Sequence, residues 1–157
     1  RQLGDPDLLN YVQSAIDDAG ITTDEICLEI TESALMGDAE TATEQLDELR
    51  RLGISLGIDD FGIGWSQFGY LQRLPLDVLK IDRSFVSGLG TEKSATTIVA
   101  AIIDLAHALG LIVIAEGVET RQQLDVLTEL DCDQALGFYF SQPQSPEAFD
   151  EVLTPLT

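Results

Sequence analysis

The chain has 157 residues, 45% of them hydrophobic, with 28 acidic against 8 basic side chains and a net charge of −20. There is enough apolar material for one sizeable core, while the charge argues against a nucleic acid polymer or an anionic membrane as partner. A small anionic substrate remains compatible if divalent cations neutralise its site; the acidity of a salt-adapted host is the other reading.

The chain opens on Arg1 with no secretion signal, and no apolar run is long enough to cross a membrane. It therefore reads as a cytoplasmic segment of a longer protein, whose parent is free to be membrane-anchored. Asp5 and Pro6 open a first helix with Leu8, Val12, Ile16 and Ala19 as its apolar stripe and Gly20 as its end. A strand over 26–30 follows, then a helix capped by Asp38, carrying Ala42, Leu46 and Leu49 and stopping at Gly53. A strand over 54–58 runs into the glycine-punctuated loop "DDFGIGWSQFGY", with a short helix over 66–71 before Pro75 and a strand over 78–82. Ser94 opens a helix with Ile98, Ile102, Leu105 and Leu109 at helical spacing, ended by Gly110. A strand over 111–115 leads to a capping box between Thr120 and Gln123, which starts the next helix. A strand over 135–140 and a helix capped at Ser145 and Pro146 close the chain.

Strands alternating with helices predict an α/β fold with a parallel sheet. Five strands suit an open doubly wound sheet, and equally about five β/α units of a (β/α)₈ barrel. The barrel gains from the charges, which end at least four different strands, whereas a doubly wound sheet gathers its site at one switch point. Cys27 and Cys132 lack metal spacing and read as reduced and structural. His107, the one histidine, reads as a packing or surface residue, so histidine catalysis is not expected.

Glu29 ends "ICLEIT", Asp59 and Asp60 end "ISLGIDD", Lys80 and Asp82 lie in "VLKID", and Glu116 ends "LIVIAE". In a parallel sheet the carboxyl ends of the strands share one face, so these charges share one rim. Charges in such apolar runs are costly unless paired or bound to metal. Adjacent aspartates at the turn out of a strand splay, one carboxylate toward each of two cations. The all-oxygen set suits Mg²⁺ or Mn²⁺, and two such ions about 3.5–4 Å apart clamp both oxygens of a phosphodiester displacement. Lys80 is placed to stabilise charge on the phosphoryl oxygens. The alternative is a structural ion-pair network, with Lys80 and Asp82 bridging each other. Glu32 and Glu119 lie beyond their strands and read as loop-holding or helix-terminal charges. Trp65, Phe68 and Tyr70 read as core.

The ordered motifs "LEITES", "IDDFGIGWS", "LPLDVLKIDRSFV", "IAEGVET" and "GFYFSQP" resemble the EAL-domain cyclic di-GMP phosphodiesterases over essentially all of the chain. The resemblance implies a (β/α)₈ TIM-type barrel that hydrolyses cyclic di-GMP to the linear dinucleotide with Mg²⁺ or Mn²⁺, by in-line attack on one phosphodiester. It implies Glu29, Asp59 and Asp60 as metal ligands, Asp59 bridging both ions. Lys80, Asp82 and Glu116 are the implied catalytic set, and Glu32 and Glu119 anchor the loop after Asp60 or support from outside. It further implies a homodimer and an upstream regulatory domain.

The chain begins downstream of the Glu-Ala-Leu signature and of an asparagine on the next strand, so two first-metal ligands of the family precede it. The isolated segment is thus expected to be inactive, or to complete its barrel with another chain. Leu136 stands where the family has glutamine, and Ile63 and Trp65 where threonine and tyrosine are usual. A second functional reading follows, a degenerate domain that binds the dinucleotide or a partner protein without hydrolysis.

Overall fold

The computed structural model describes residues 2–31, 34–35, 39–62, 71–145 and 148. The elements in chain order are α1 (Leu8–Ala19), a 3₁₀ turn (Thr23–Glu25), β1 (Cys27–Thr31), α2 (Ala39–Arg51), β2 (Ser55–Phe61) and β3 (Val78–Ile81). Then come α3 (Arg83–Val86), α4 (Lys93–Ala108), β4 (Ile112–Ala115), α5 (Arg121–Glu129) and β5 (Gln134–Ala135).

All strand pairs are parallel, and the sheet order is β1-β2-β3-β4-β5. A doubly wound sheet reverses its order at a switch point. This one never reverses, so its right-handed crossovers put the helices on one side, as in an arc of a TIM-type barrel. Burial alternates accordingly. Ile30, Leu56, Ile58, Leu79, Ile81, Val113 and Ala115 are all buried. With Leu46, Leu49, Val99, Ile103 and Leu127 from the helices they form the core. The opposite face, with Cys27, Glu29 and Ile112, is open, Ile112 being 45% exposed.

Several boundaries differ from the sequence expectation. Helix α1 starts at Leu8, after Asp5 Oδ1 accepts the Asp7 N–H in a turn that holds Pro6 outside the helix. Helix α4 starts at Lys93 and not at Ser94. Its buried stripe is Ala95, Val99, Ile102, Ile103 and Ala106, while Ile98 is exposed. Thr97, Asp104 and His107 mark its exposed side, and the buried stripe is rotated from the Ile98–Ile102–Leu105–Leu109 line, which straddles the boundary. The expected strand over 135–140 is cut to β5. Past Ala135 the chain turns onto the loop after β4, where Val118 N–H donates to the Leu136 carbonyl and Tyr139 N–H to the Val118 carbonyl. Leu136, Phe138 and Phe140 are left exposed. The Thr120–Gln123 capping box forms as expected.

Both cysteines are free, Cys27 exposed on the open face and Cys132 half-buried. Burial pushes the Cys132 thiol above the ordinary cysteine range. His107 Nε2 lies 2.9 Å from Asp133 Oδ2, which also accepts the Val113 N–H at 2.8 Å, so the histidine helps tie α4 to the sheet. The predicted cap Asp38, residues Glu32, Ile63, Trp65, Phe68 and Tyr70, most of the 66–71 helix and most of the last helix lie outside the described residues.

Candidate active site

Lys80 is the centre of the rim. Its side chain is 9% exposed, on the face of β3 opposite the core residues Leu79 and Ile81. Its ammonium lies 2.8 Å from Glu29 Oε2, 2.7 Å from Glu116 Oε1 and 3.3 Å from Asp59 Oδ1. Glu29 comes from β1, Asp59 from β2 and Glu116 from the residue after β4. Glu29 reaches across β2 because its register partner there is Gly57, which puts no side chain in the way.

Burial pulls the Lys80 pKa down, but ion pairing with Glu116, Glu29 and Asp59 outweighs it and lifts the value well above the ordinary lysine range. An ammonium so held does not give up its proton near neutrality. Lys80 is therefore a fixed positive charge and not a base.

The two aspartates sit differently from the expectation. They lie inside β2 and not in the turn beyond it. Ile58 pairs with Leu79 and Phe61 with Ile81, so Asp59 and Asp60 together oppose Lys80 alone. This is a β-bulge, the device that re-aims side chains beside functional sites. Asp60 takes φ +56°, a left-handed conformation that aspartate tolerates better than most residues. In consequence Asp59 faces the Lys80 ammonium while Asp60 lines an open cleft of ≈ 400 Å³ with Asp82, Arg83, Glu116, Gly117, Glu119, Leu136, Gly137 and Phe138.

The expected Lys80–Asp82 ion pair is not made. Asp82 caps α3 instead, its Oδ1 accepting the Ser84 N–H at 2.8 Å. Burial is the largest single influence and raises its carboxyl, but the bonds from Ser84 and the Arg83 backbone, with the Arg83 charge, together hold the pKa below the ordinary aspartate value. Glu119 lies at the cleft, its backbone N–H donating to Gln123 Oε1 at 2.8 Å, so α5 carries that wall. Glu32 lies outside the described residues. Arg83 was not among the expected site residues. Its one sequence signal is adjacency to the charged strand end in "KIDRSF".

Asp59 Oδ1 is fully buried, and the nearby ammonium does not make a hydrogen bond to it. A buried carboxylate oxygen without a hydrogen-bond partner is costly, and a hard divalent cation would satisfy it. Among the described residues no three carboxylate, cysteine or histidine side chains converge on one ion-sized position. The carboxylates are instead drawn around Lys80, so any cation here would complete its shell with water or phosphate oxygens, as Mg²⁺ commonly does.

Gly117 holds the loop behind Glu116. Its φ is +73°, and a Cβ built on it would lie 2.5 Å from the Arg83 Cβ and 3.3 Å from the Arg83 Cα. Gly117→Ala is expected to destabilise the fold by about 2–4 kcal/mol, from left-handed strain plus overpacking. A urea midpoint equal to that of the unchanged protein would show that the loop gives way freely.

The EAL domain family model matches residues 1–143. The cyclic di-GMP phosphodiesterase NbdA of Pseudomonas aeruginosa is 45% identical over 151 residues, covering 96% of this chain and 19% of that protein. The crystal structure of the EAL domain of Mycobacterium smegmatis DcpA aligns at TM-score 0.92 and 40% identity, covering 98% of this chain and 69% of that one. A manganese/cy-diGMP complex of Klebsiella pneumoniae BlrP1 aligns at TM-score 0.83 and 31% identity, covering 90% of this chain and 36% of that one. The chain spans 16–23% of the length of such curated relatives.

Proposed function

Because the chain belongs to the EAL domain family, we propose that it is the site-bearing part of a metal-dependent phosphodiesterase that opens cyclic di-GMP to the linear dinucleotide. The observation that carries this reading is the Lys80 ammonium between Glu29, Asp59 and Glu116, beside a cleft walled by Asp60. Glu29, Asp59 and Asp60 would hold the two Mg²⁺ or Mn²⁺ ions. When bound, these ions supply Lewis-acid polarisation of the phosphodiester and lower the pKa of water.

The chain's own groups do the rest. Lys80, charged throughout the neutral range, stabilises the charge that grows on the phosphoryl oxygens. Glu116 and Glu29 fix that ammonium in place through its hydrogen-bonding protons. Asp82, by capping α3, sets where Arg83 leaves the strand end. Glu119 holds the cleft wall. In the same reading the domain pairs with a second copy and works in the cytoplasm under a regulatory domain, as the family resemblance implies.

The test is hydrolysis of cyclic di-GMP by the full-length protein that carries this domain, followed by chromatography of the linear product. Product is expected with Mg²⁺ or Mn²⁺, and none after chelation. Leu136, apolar and exposed at the cleft, favours a second reading as a dinucleotide-binding module. Tight binding without product would establish that reading and end the first.

A further inference from the structure

Among the described residues Arg83 is the one cationic side chain lining a cleft whose other charged walls are Asp60, Asp82, Glu116 and Glu119. It is exposed, and no described carboxylate lies within ion-pair distance of its guanidinium. Its base is set firmly: Asp82 caps the turn that begins with Arg83, and the Arg83 Cβ fills the space left by the missing side chain of Gly117. The backbone is fixed while the guanidinium stays available. Lys80 is buried among three carboxylates and does not line this cleft, so it is not placed to receive an anion at the cleft mouth.

A cyclic dinucleotide carries two phosphodiesters on opposite sides of its ring. With one at the carboxylate–Lys80 end, the other faces outward into a strongly acidic surface, where an unpaired negative charge is disfavoured. Resting on the hydrolase reading above, we propose that Arg83 grips this second phosphate, the one not cleaved, and so selects a cyclic dinucleotide over a single phosphodiester. Arginine suits the role because its planar fork meets two phosphate oxygens at once.

The test is calorimetric titration of the full-length protein with cyclic di-GMP and, separately, with the linear dinucleoside GpG, which has one phosphodiester. Both run with Ca²⁺ present, and the ligand is checked for integrity afterwards. The unchanged protein is expected to bind cyclic di-GMP more tightly than GpG. Arg83→Gln is expected to weaken cyclic di-GMP by about 10–100-fold and leave GpG where it was, the worth of a charge-assisted hydrogen-bond pair. Arg83→Lys recovers part of the loss by keeping the charge without the fork. Arg121→Gln, which removes an exposed cation on α5 paired to Asp125, changes neither ligand. Equal weakening of both ligands by Arg83→Gln would place the arginine on a base or on the scissile phosphate and overturn the proposal. So would no weakening of either ligand, or equal affinity of the unchanged protein for both. If the unchanged protein binds neither ligand, the hydrolase reading itself falls and this one with it.

Discussion

Lys80→Met is expected to lower turnover of cyclic di-GMP by about 10²–10³-fold, the usual loss when one preorganised stabiliser of developing charge is removed. The ammonium is shared by Glu29 at 2.8 Å, Glu116 at 2.7 Å and Asp59 at 3.3 Å, so its loss also leaves those carboxylates facing one another. Methionine fills the volume but neutralises none of them. A fully buried cluster would lose more, but side-chain exposures of 44%, 28% and 24% let water screen part of the repulsion. The expected stability loss is about 1–3 kcal/mol by urea denaturation.

The pH dependence has a definite sign. The folded pKa of Lys80 is raised, so the cluster's contribution is complete below the ordinary lysine value of ~10.4 and disappears only as pH climbs through the higher folded value. A difference between Lys80→Met and the unchanged protein that is flat from neutrality to mildly alkaline pH checks this. Turnover equal to that of the unchanged protein would remove Lys80 from the mechanism.

Asp59→Asn should separate metal binding from folding. The buried Oδ1 of Asp59 makes no hydrogen bond and its 3.3 Å ion pair is the longest of the three that Lys80 makes, so removing its charge without metal is expected to leave the melting temperature nearly unchanged. With Mg²⁺ or Mn²⁺ the two proteins separate. The unchanged protein gains stability with metal concentration as a ligand-binding fold must, and the asparagine variant does not follow. Hydrolysis is expected to fall by about 10²–10³-fold, the several kcal/mol that a metal contributes at a reacting phosphate. An identical metal-induced rise in melting temperature for both proteins would show that the ion binds elsewhere.

Much of this is legible in the sequence alone. Charge at the ends of β-branched runs is expensive, so Glu29, Asp59, Lys80 and Glu116 stand out, and regular alternation of strand and helix signals a parallel sheet. The barrel and doubly wound alternatives are separated by strand order, which depends on which strands pair and not on local pattern. The bulge at Asp59 and Asp60 is not legible, because hydrophobic alternation has no mark for one unpaired residue. Nor is the end of β5. "ALGFYF" reads as a strand, but Gly137 packs against the Val118 backbone so closely that any side chain would collide with it, and this draws the chain out of the sheet. Asp82 misleads for a related reason. Period-two spacing puts it beside Lys80 only while the strand continues, and β3 stops at Ile81.

The unbroken strand order also bears on how the molecule assembles. Each strand pairs with its neighbour in sequence, so the sheet can zip from either end and no late strand must be threaded between two already in place. The Lys80 cluster obeys the opposite logic. Its carboxylates come from β1, β2 and the residue after β4, so no two adjacent strands contain it. A partly zipped chain holds some of the acidic groups without the full quartet. The arrangement on which the chemistry depends therefore closes only when all of β1 to β4 are in place, from whichever end the sheet grows.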